Sequence, residues 1–154
     1  MKTIISLQDD TDLQNQKLDN VDVSSLLAVQ GINHIRCPTS DADKADFLGK
    51  LPGAVATLAK ERSQVDPSNG VYIHCNGGRG RAPTVVAAYY FWLAGLGLKQ
   101  AVERVKEARP SSPKVDVIID ATNGILQDLS LSGEDADLTA EQRTAIASYL
   151  KTLM

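Results

Sequence analysis

Hydrophobic positions along the chain follow two rhythms. Short apolar runs mark strands at 2–7, 32–37 and 71–75. Helical periodicity marks helices at about 22–29, 43–62, 82–94, 98–108, 113–128 and 139–153. In 98–108 the residues Leu98, Ala101, Val102 and Val105 form one apolar face, and Pro110 closes the helix. The 82–94 segment is apolar almost all round, which predicts the central buried helix. Pro52-Gly53 predicts a kink or a split in the 43–62 helix. Ser112 reads as an N-cap ahead of Pro113 at the first helical position. The stretch after Leu13 (Gln14-Asn15-Gln16-Lys17) reads as loop. Near the end, residues 130–138 read as a polar linker. Thr139 and Gln142 then form a capping box for a last helix, whose stripe of Ile146, Tyr149, Leu150 and Leu153 packs on its own domain or on a partner. Strands alternating with helices indicate an α/β domain with a central, parallel-rich sheet flanked by helices.

Composition narrows the class. The chain has 154 residues, enough for a single core of domain size. A net charge of −3 with pI near 5.3 leaves no global basic surface, so nucleic acid is not an expected partner. The longest apolar stretch, Ala82 to Leu98, is too short and too interrupted for a membrane span. Met1 is followed at once by strand-like Lys2-Thr3-Ile4-Ile5, so no targeting peptide is expected. Two cysteines fit a reducing compartment rather than a disulfide scaffold, and two histidines add no metal-ligand spacing. No metal or cofactor is expected.

The chemistry concentrates in His74-Cys75-Asn76-Gly77-Gly78-Arg79-Gly80-Arg81-Ala82-Pro83, between the third strand and the helix behind it. A lone cysteine at a strand end is ordinarily a buried small hydrophobe, and a lone Gly-Gly a turn. Neither accounts for strand, cysteine, three glycines, arginine and helix in that order. Glycines let the backbone turn its N–H groups inward, and the helix N-terminus adds positive potential. Arg81 supplies a planar fork for two phosphate oxygens, and Cys75 sits where the same donors would stabilise a thiolate. The loop therefore reads as a phosphate cradle, Asn76 to Gly80, with a nucleophile at its base. It lacks the Gly-x-Gly-x-x-Gly of a dinucleotide fold and the Gly-Lys-Ser/Thr of a nucleotide P-loop.

His74-Cys75-x-x-Gly78-x-x-Arg81 resembles the cysteine-dependent phosphatases, and more narrowly the dual-specificity group. Within that group the chain resembles the plant starch (glucan) phosphatases. The matching stretches are Lys2-Thr3-Ile4, Leu7-Gln8, Val23-Ser24-Ser25, His34-Ile35-Arg36-Cys37, Phe91-Trp92, Gly95, Pro113-Lys114, Asp116 and Ala121-Thr122, covering about residues 2 to 128. The resemblance implies a dual-specificity phosphatase-like catalytic domain over 1–130, N-terminally short, followed by the linker and helix of 131–154. It implies attack of Cys75 on phosphorus, a cysteinyl-phosphate, and its hydrolysis by water. It also implies a general acid on the loop Asp41-Ala42-Asp43-Lys44-Ala45-Asp46. The first aspartate, Asp41, is the expected acid and Asp43 the runner-up, while Asp43 and Asp46 otherwise read as carboxylates answering a helix N-terminus. His74 is expected to brace the loop, and His34 to be an ordinary half-buried histidine.

The chain also departs from that branch. Aromatic sugar-binding positions are expected where Ala42, Ser112 and Gln14–Lys17 stand, and Tyr89, Tyr90, Phe91 and Trp92 read as core. Arg79 stands where the glucan branch has an apolar residue; it reads either as a cation for a second phosphate or as a solvated rim residue. Ser6 replaces the cysteine of members with a redox switch, leaving Cys37 as a weaker candidate partner for Cys75. The expected substrate is a phosphorylated glucan or another phosphomonoester. The alternatives are a phosphoprotein or phosphoinositide phosphatase, or a non-catalytic phosphate-binding fragment. Resemblance points to the plastid, and the chain otherwise reads as cytoplasmic.

Overall fold

A computed structural model describes residues 2–66, 68–132 and 137–154. In chain order the elements are β1 (Thr3–Ser6), α1 (Asp10–Asn15), α2 (Val23–Ala28), β2 (Asn33–Arg36), α3 (Lys44–Gln64), β3 (Val71–His74), α4 (Arg81–Trp92), α5 (Leu98–Ala108), α6 (Val115–Asp128) and α7 (Ala140–Thr152). Among the described residues the strands form one parallel sheet of order β2-β1-β3. Ile5 stands opposite Ile35 on one side and Ile73 on the other, and it is fully buried. This is the α/β arrangement that the alternating pattern predicts. No helix of the described residues is long and apolar enough to cross a membrane.

α4 is the central helix, and its apolar circumference explains why. Val85, Ala87, Ala88, Phe91 and Trp92 are all buried, with α3, α5, α6 and α7 packed around them. The indole of Trp92 is satisfied by donating to Thr122 Oγ1 at 2.9 Å. The aromatic run thus serves the core. α7 begins at the expected capping box, with Gln142 N donating to Thr139 Oγ1 at 3.2 Å and Thr139 N to Gln142 Oε1 at 2.8 Å. Its stripe packs inward through Ile146 and Leu150, while Leu153 stays 43% exposed. Arg143 fastens it by donating to the carbonyls of Phe91 and Leu96. An Ile146→Ala variant is expected to lose about 2–4 kcal/mol of stability, read as a lowered denaturant midpoint. Of the expected linker, Gly133 to Ala136 lie outside the described residues.

Three expectations need correction. Of the kink or split expected at Pro52-Gly53, the split is absent, and α3 continues through both residues to Gln64. Leu51, Pro52, Ala54, Val55, Ala56 and Leu58 are all buried there, and that packing outweighs the lost backbone hydrogen bond, a cost of about 3 kcal/mol. α6 begins at Val115, with Lys114 rather than Ser112 at the cap. Ser112 N donates instead to Arg79 O, and Lys114 N to Thr84 Oγ1, both at 2.8 Å, so tertiary bonds take the amides a helix start would leave free. Finally, of the expected loop Gln14–Lys17 the first two residues belong to α1, a helix over Asp10–Asn15, and only Gln16 and Lys17 lie beyond it. Asp9 caps it by accepting from Asp12 N at 2.8 Å, and Asp12 reciprocates. Six residues are too few for periodicity to reveal.

Candidate active site

β3 delivers the loop to the N-terminus of α4. Cys75 follows the last strand residue and is 6% exposed. Gly78 holds φ at +65°, which a side chain disfavours, and the guanidinium of Arg109 lies close against the place a Cβ would take, with Nη1 3.0 Å from it. Gly80 is the N-cap of α4, so Arg81 stands in its first turn. His74 Nδ1 lies 3.3 Å from the Cys75 carbonyl, and its ring stacks on Tyr72. The Asn76 side chain accepts from Gln16, just past α1. Arg79 is exposed, and its carbonyl receives Ser112 N. A Gly78→Ala variant is expected to lose kcat/KM toward an aryl phosphate at least about tenfold, since φ must relax and shift the loop. Stopped-assay kinetics beside a melting curve would separate this from unfolding.

Arg81 is 1% exposed, and its guanidinium divides into two parts. Nη1 donates to Asp12 Oδ2 at 2.7 Å, Thr39 O at 2.7 Å and Leu7 O at 3.3 Å. These acceptors come from α1, the exit of β2 and the exit of β1. Nε, by contrast, is buried without a hydrogen-bond partner. The nearest carboxylate to it is Asp41, whose Oδ1 is 3.6 Å away, beyond hydrogen-bond distance. A buried N–H left unpaired is rare and costly, so this edge is free for a ligand. Burial alone would lower the Arg81 pKa; Asp12 first, then Asp41 and Cys75, outweigh it and raise it. Burial would likewise push the Asp12 carboxyl up, but hydrogen bonds and charge from Arg81, with the Asp9 amide, hold it below its ordinary 3.8.

Asp41 lies against this edge from the other side. Lys114 Nζ holds its Oδ1 at 3.0 Å and its carbonyl at 3.1 Å while sitting over the Phe47 ring. A Cβ on Gly80 would lie 3.5 Å from Lys114 Cε and 3.9 Å from Asp41 Oδ1. Asp43 is the N-cap of α3, accepting from Ala45 N and Asp46 N. Asp46 accepts from Ser40 N and pairs with Lys50. Both are therefore engaged at the helix start, and Asp41 alone of the three meets Arg81. Sequence reasoning did not find Asp12, Thr39 or Lys114 as neighbours of the loop. The Asp9-x-x-Asp12 box was the available signal for the first.

Cys37 and Cys75 are not bonded and cannot be bridged without backbone movement. The two follow strands on opposite sides of β1, at the same level of the register, which separates them by roughly 9.6 Å. A disulfide needs Cα atoms within about 7 Å. Both are free thiols, and burial pushes the Cys37 thiol up, against a smaller effect of Thr57. His34 is half-buried with Nδ1 2.8 Å from Ser24 Oγ; burial, then the charges of His74 and Arg36, lower its pKa.

A parallel sheet whose edge strand ends in a cysteine loop on a buried arginine is the arrangement of a phosphatase domain, and residues 5–120 match the family described as dual specificity phosphatase, catalytic domain. The chain belongs to this family. It is 35% identical over 131 residues to phosphoglucan phosphatase DSP4, amyloplastic, of Castanea sativa, covering 84% of this chain and 34% of that protein. It is 29% identical over 96 residues to phosphatidylglycerophosphate phosphatase PTPMT2 of Arabidopsis thaliana, covering 62% of this chain and 41% of the relative. The chain thus spans about a third of the length of the chestnut protein. Its fold resembles the crystal structure of PTPMT1, with a TM-score of 0.62 at 19% identity over 99% of this chain and 82% of that one.

Proposed function

We propose that this domain hydrolyses phosphate monoesters through a cysteinyl-phosphate on Cys75, and that its substrate is a phosphorylated glucan. The observation that carries the chemistry is the unpartnered Nε of Arg81, buried beside the cysteine loop. With Nη1 tethered, the Nε–Nη2 edge is left to donate to two oxygens of a phosphoryl group. The loop amides and the start of α4 supply the remaining donors to a loose, highly charged transition state. Cys75 attacks phosphorus as the ester oxygen leaves. Asp41 gives that oxygen a proton and then takes one from the water that releases phosphate. Asn76 to Gly80 form the cradle, and Lys114 steadies the acid.

The glucan assignment rests on the 35% identity to the chestnut enzyme, and it brings a plastid as the setting. One observation favours a second reading, a phosphoinositide or other polyanionic ester. A cavity of about 400 Å³ runs from Cys75 along the open edge of β3, with Arg104 and Arg109 at its rim. Neither arginine, nor the exposed Arg79, has an ion-pair partner among the described residues. Phosphate release from solubilised phosphoglucan, beside an aryl phosphate and a phosphoinositide, decides between them. Release from phosphoglucan at a rate comparable to the aryl ester supports the first reading. Turnover of the aryl and inositol esters alone overturns it in favour of the second.

A further inference from the structure

We infer that Asp12 is a positioning residue for Arg81, and that α1 acts as a bracket holding both ends of the cysteine loop. The inference rests on the reading of Arg81 as the phosphate ligand. An arginine guanidinium has two edges with paired N–H groups, Nε–Nη2 and Nη1–Nη2, and which one is presented to the loop depends on how the group is held. Here the choice is made by what Nη1 is tied to. Two of its acceptors, Leu7 O and Thr39 O, are neutral backbone carbonyls just beyond the ends of β1 and β2. The third, Asp12 Oδ2 at 2.7 Å, is the only charged one, and its side chain is nearly buried at 13% exposure. An ion pair so shielded from water has a strong directional preference, unlike a surface pair. Asp41, the other carboxylate near Arg81, is 61% exposed and 3.6 Å away, too far and too solvated to fix the rotamer.

The same helix reaches the other end of the loop. Gln16, its C-cap, donates to the Asn76 side chain and accepts from Gln8 at 3.1 Å, tying the residue after Cys75 back to the exit of β1. Asp12 and Gln16 are four residues apart and so lie on one face of a helical turn. Asp12 contacts the loop's last residue and Gln16 its second. The spacing of Asn76 and Arg81, which sets the cradle's width, is thereby referred to one short rigid element. Asp12 Oδ2 also accepts from the Asp9 backbone N at 3.2 Å while it holds Arg81, a bond that does not involve the Asp9 side chain.

A merely structural aspartate would stabilise α1 and do nothing specific to Arg81, so the test is a double-mutant cycle. In the full chain, kcat/KM for an aryl phosphate is measured for wild type, Asp12→Asn, Arg81→Lys and the double variant, with tungstate affinity by calorimetry as a readout independent of turnover. Asp12→Asn is expected to lower kcat/KM by about 10- to 100-fold and tungstate affinity by about tenfold. In the Arg81→Lys background the same change is expected to alter kcat/KM by less than about threefold. Asp9→Ala, which removes the cap but not the Arg81 contact, is expected to lower the melting temperature while leaving tungstate affinity within about twofold. Equal losses in both backgrounds, or an Asp9→Ala loss of tungstate as large as that of Asp12→Asn, would overturn the inference. If Asp12→Asn does not fold, Asp12→Glu takes its place in the cycle, and equal losses of kcat/KM in the wild-type and Arg81→Lys backgrounds also overturn the inference. Tungstate binding by a wild type that releases no phosphate would sink the proposed hydrolase and leave the Asp12 claim still readable.

Discussion

Cys75→Ser is expected to bring phosphate release down to background, a loss of at least about 10⁴-fold, while the protein keeps its fold and binds tungstate as before. The substitution replaces one sulfur by oxygen at a site 6% exposed, so packing barely changes. On the proposed mechanism, what changes is the nucleophile. A serine hydroxyl is a far weaker acid than a thiol and keeps its proton near neutral pH, and His74 Nδ1 lies 3.3 Å from the Cys75 carbonyl. The oxyanion donors are untouched, because they belong to the loop backbone and Arg81. Loss of turnover with retained binding is the signature of a missing nucleophile. Residual turnover within about tenfold of wild type would remove Cys75 from the mechanism. Parallel loss of tungstate binding would make its role structural.

Arg81→Lys is expected to cost about 10³-fold in kcat/KM and to weaken tungstate binding strongly. On the proposed reading, this arginine does two jobs at once. Nη1 reaches Asp12, Thr39 O and Leu7 O, and the opposite edge stays free beside the cysteine. A lysine ammonium is one point charge. If it satisfies Asp12 it leaves the phosphoryl group without its fork, and if it turns to the phosphoryl group it leaves Asp12 buried and unpaired. A loss under about tenfold would mean that the loop amides alone hold the transition state.

The parts of this fold that were legible from sequence are those whose cause is local. β3, the cysteine loop and α4 are contiguous, so strand pattern, glycines and an apolar helix sufficed to set Cys75 and Arg81 at the two ends of one turn. The capping box at Thr139 and the inward stripe of α7 were likewise written in adjacent residues. α1 was not legible, since six residues show no periodicity and Asp9 and Asp12 resemble any acidic loop. Its importance comes from Arg81, 69 residues away, a contact no local pattern encodes. Ser112 misled for the same reason in reverse. Its local pattern suits a cap, but Arg79 O and Thr84 Oγ1 claim the amides around it. Pro52 gave a true local signal that burial of the surrounding helix overrode. Asp41 lay between: an aspartate after β2 was visible, but its separation from Asp43 depends on which carboxylate the start of α3 consumes.

The central claim is a covalent bond between Cys75 and phosphorus, and it can be observed directly. Wild-type protein mixed rapidly with excess aryl phosphate would be quenched in acid, digested and analysed by mass spectrometry. The account predicts a burst of aryl alcohol equal to the enzyme present and one phosphoryl group on the peptide carrying Cys75, absent from Cys75→Ser. Steady release without a burst and without an adduct on that peptide, under conditions where hydrolysis of a cysteinyl-phosphate is slow, would contradict it.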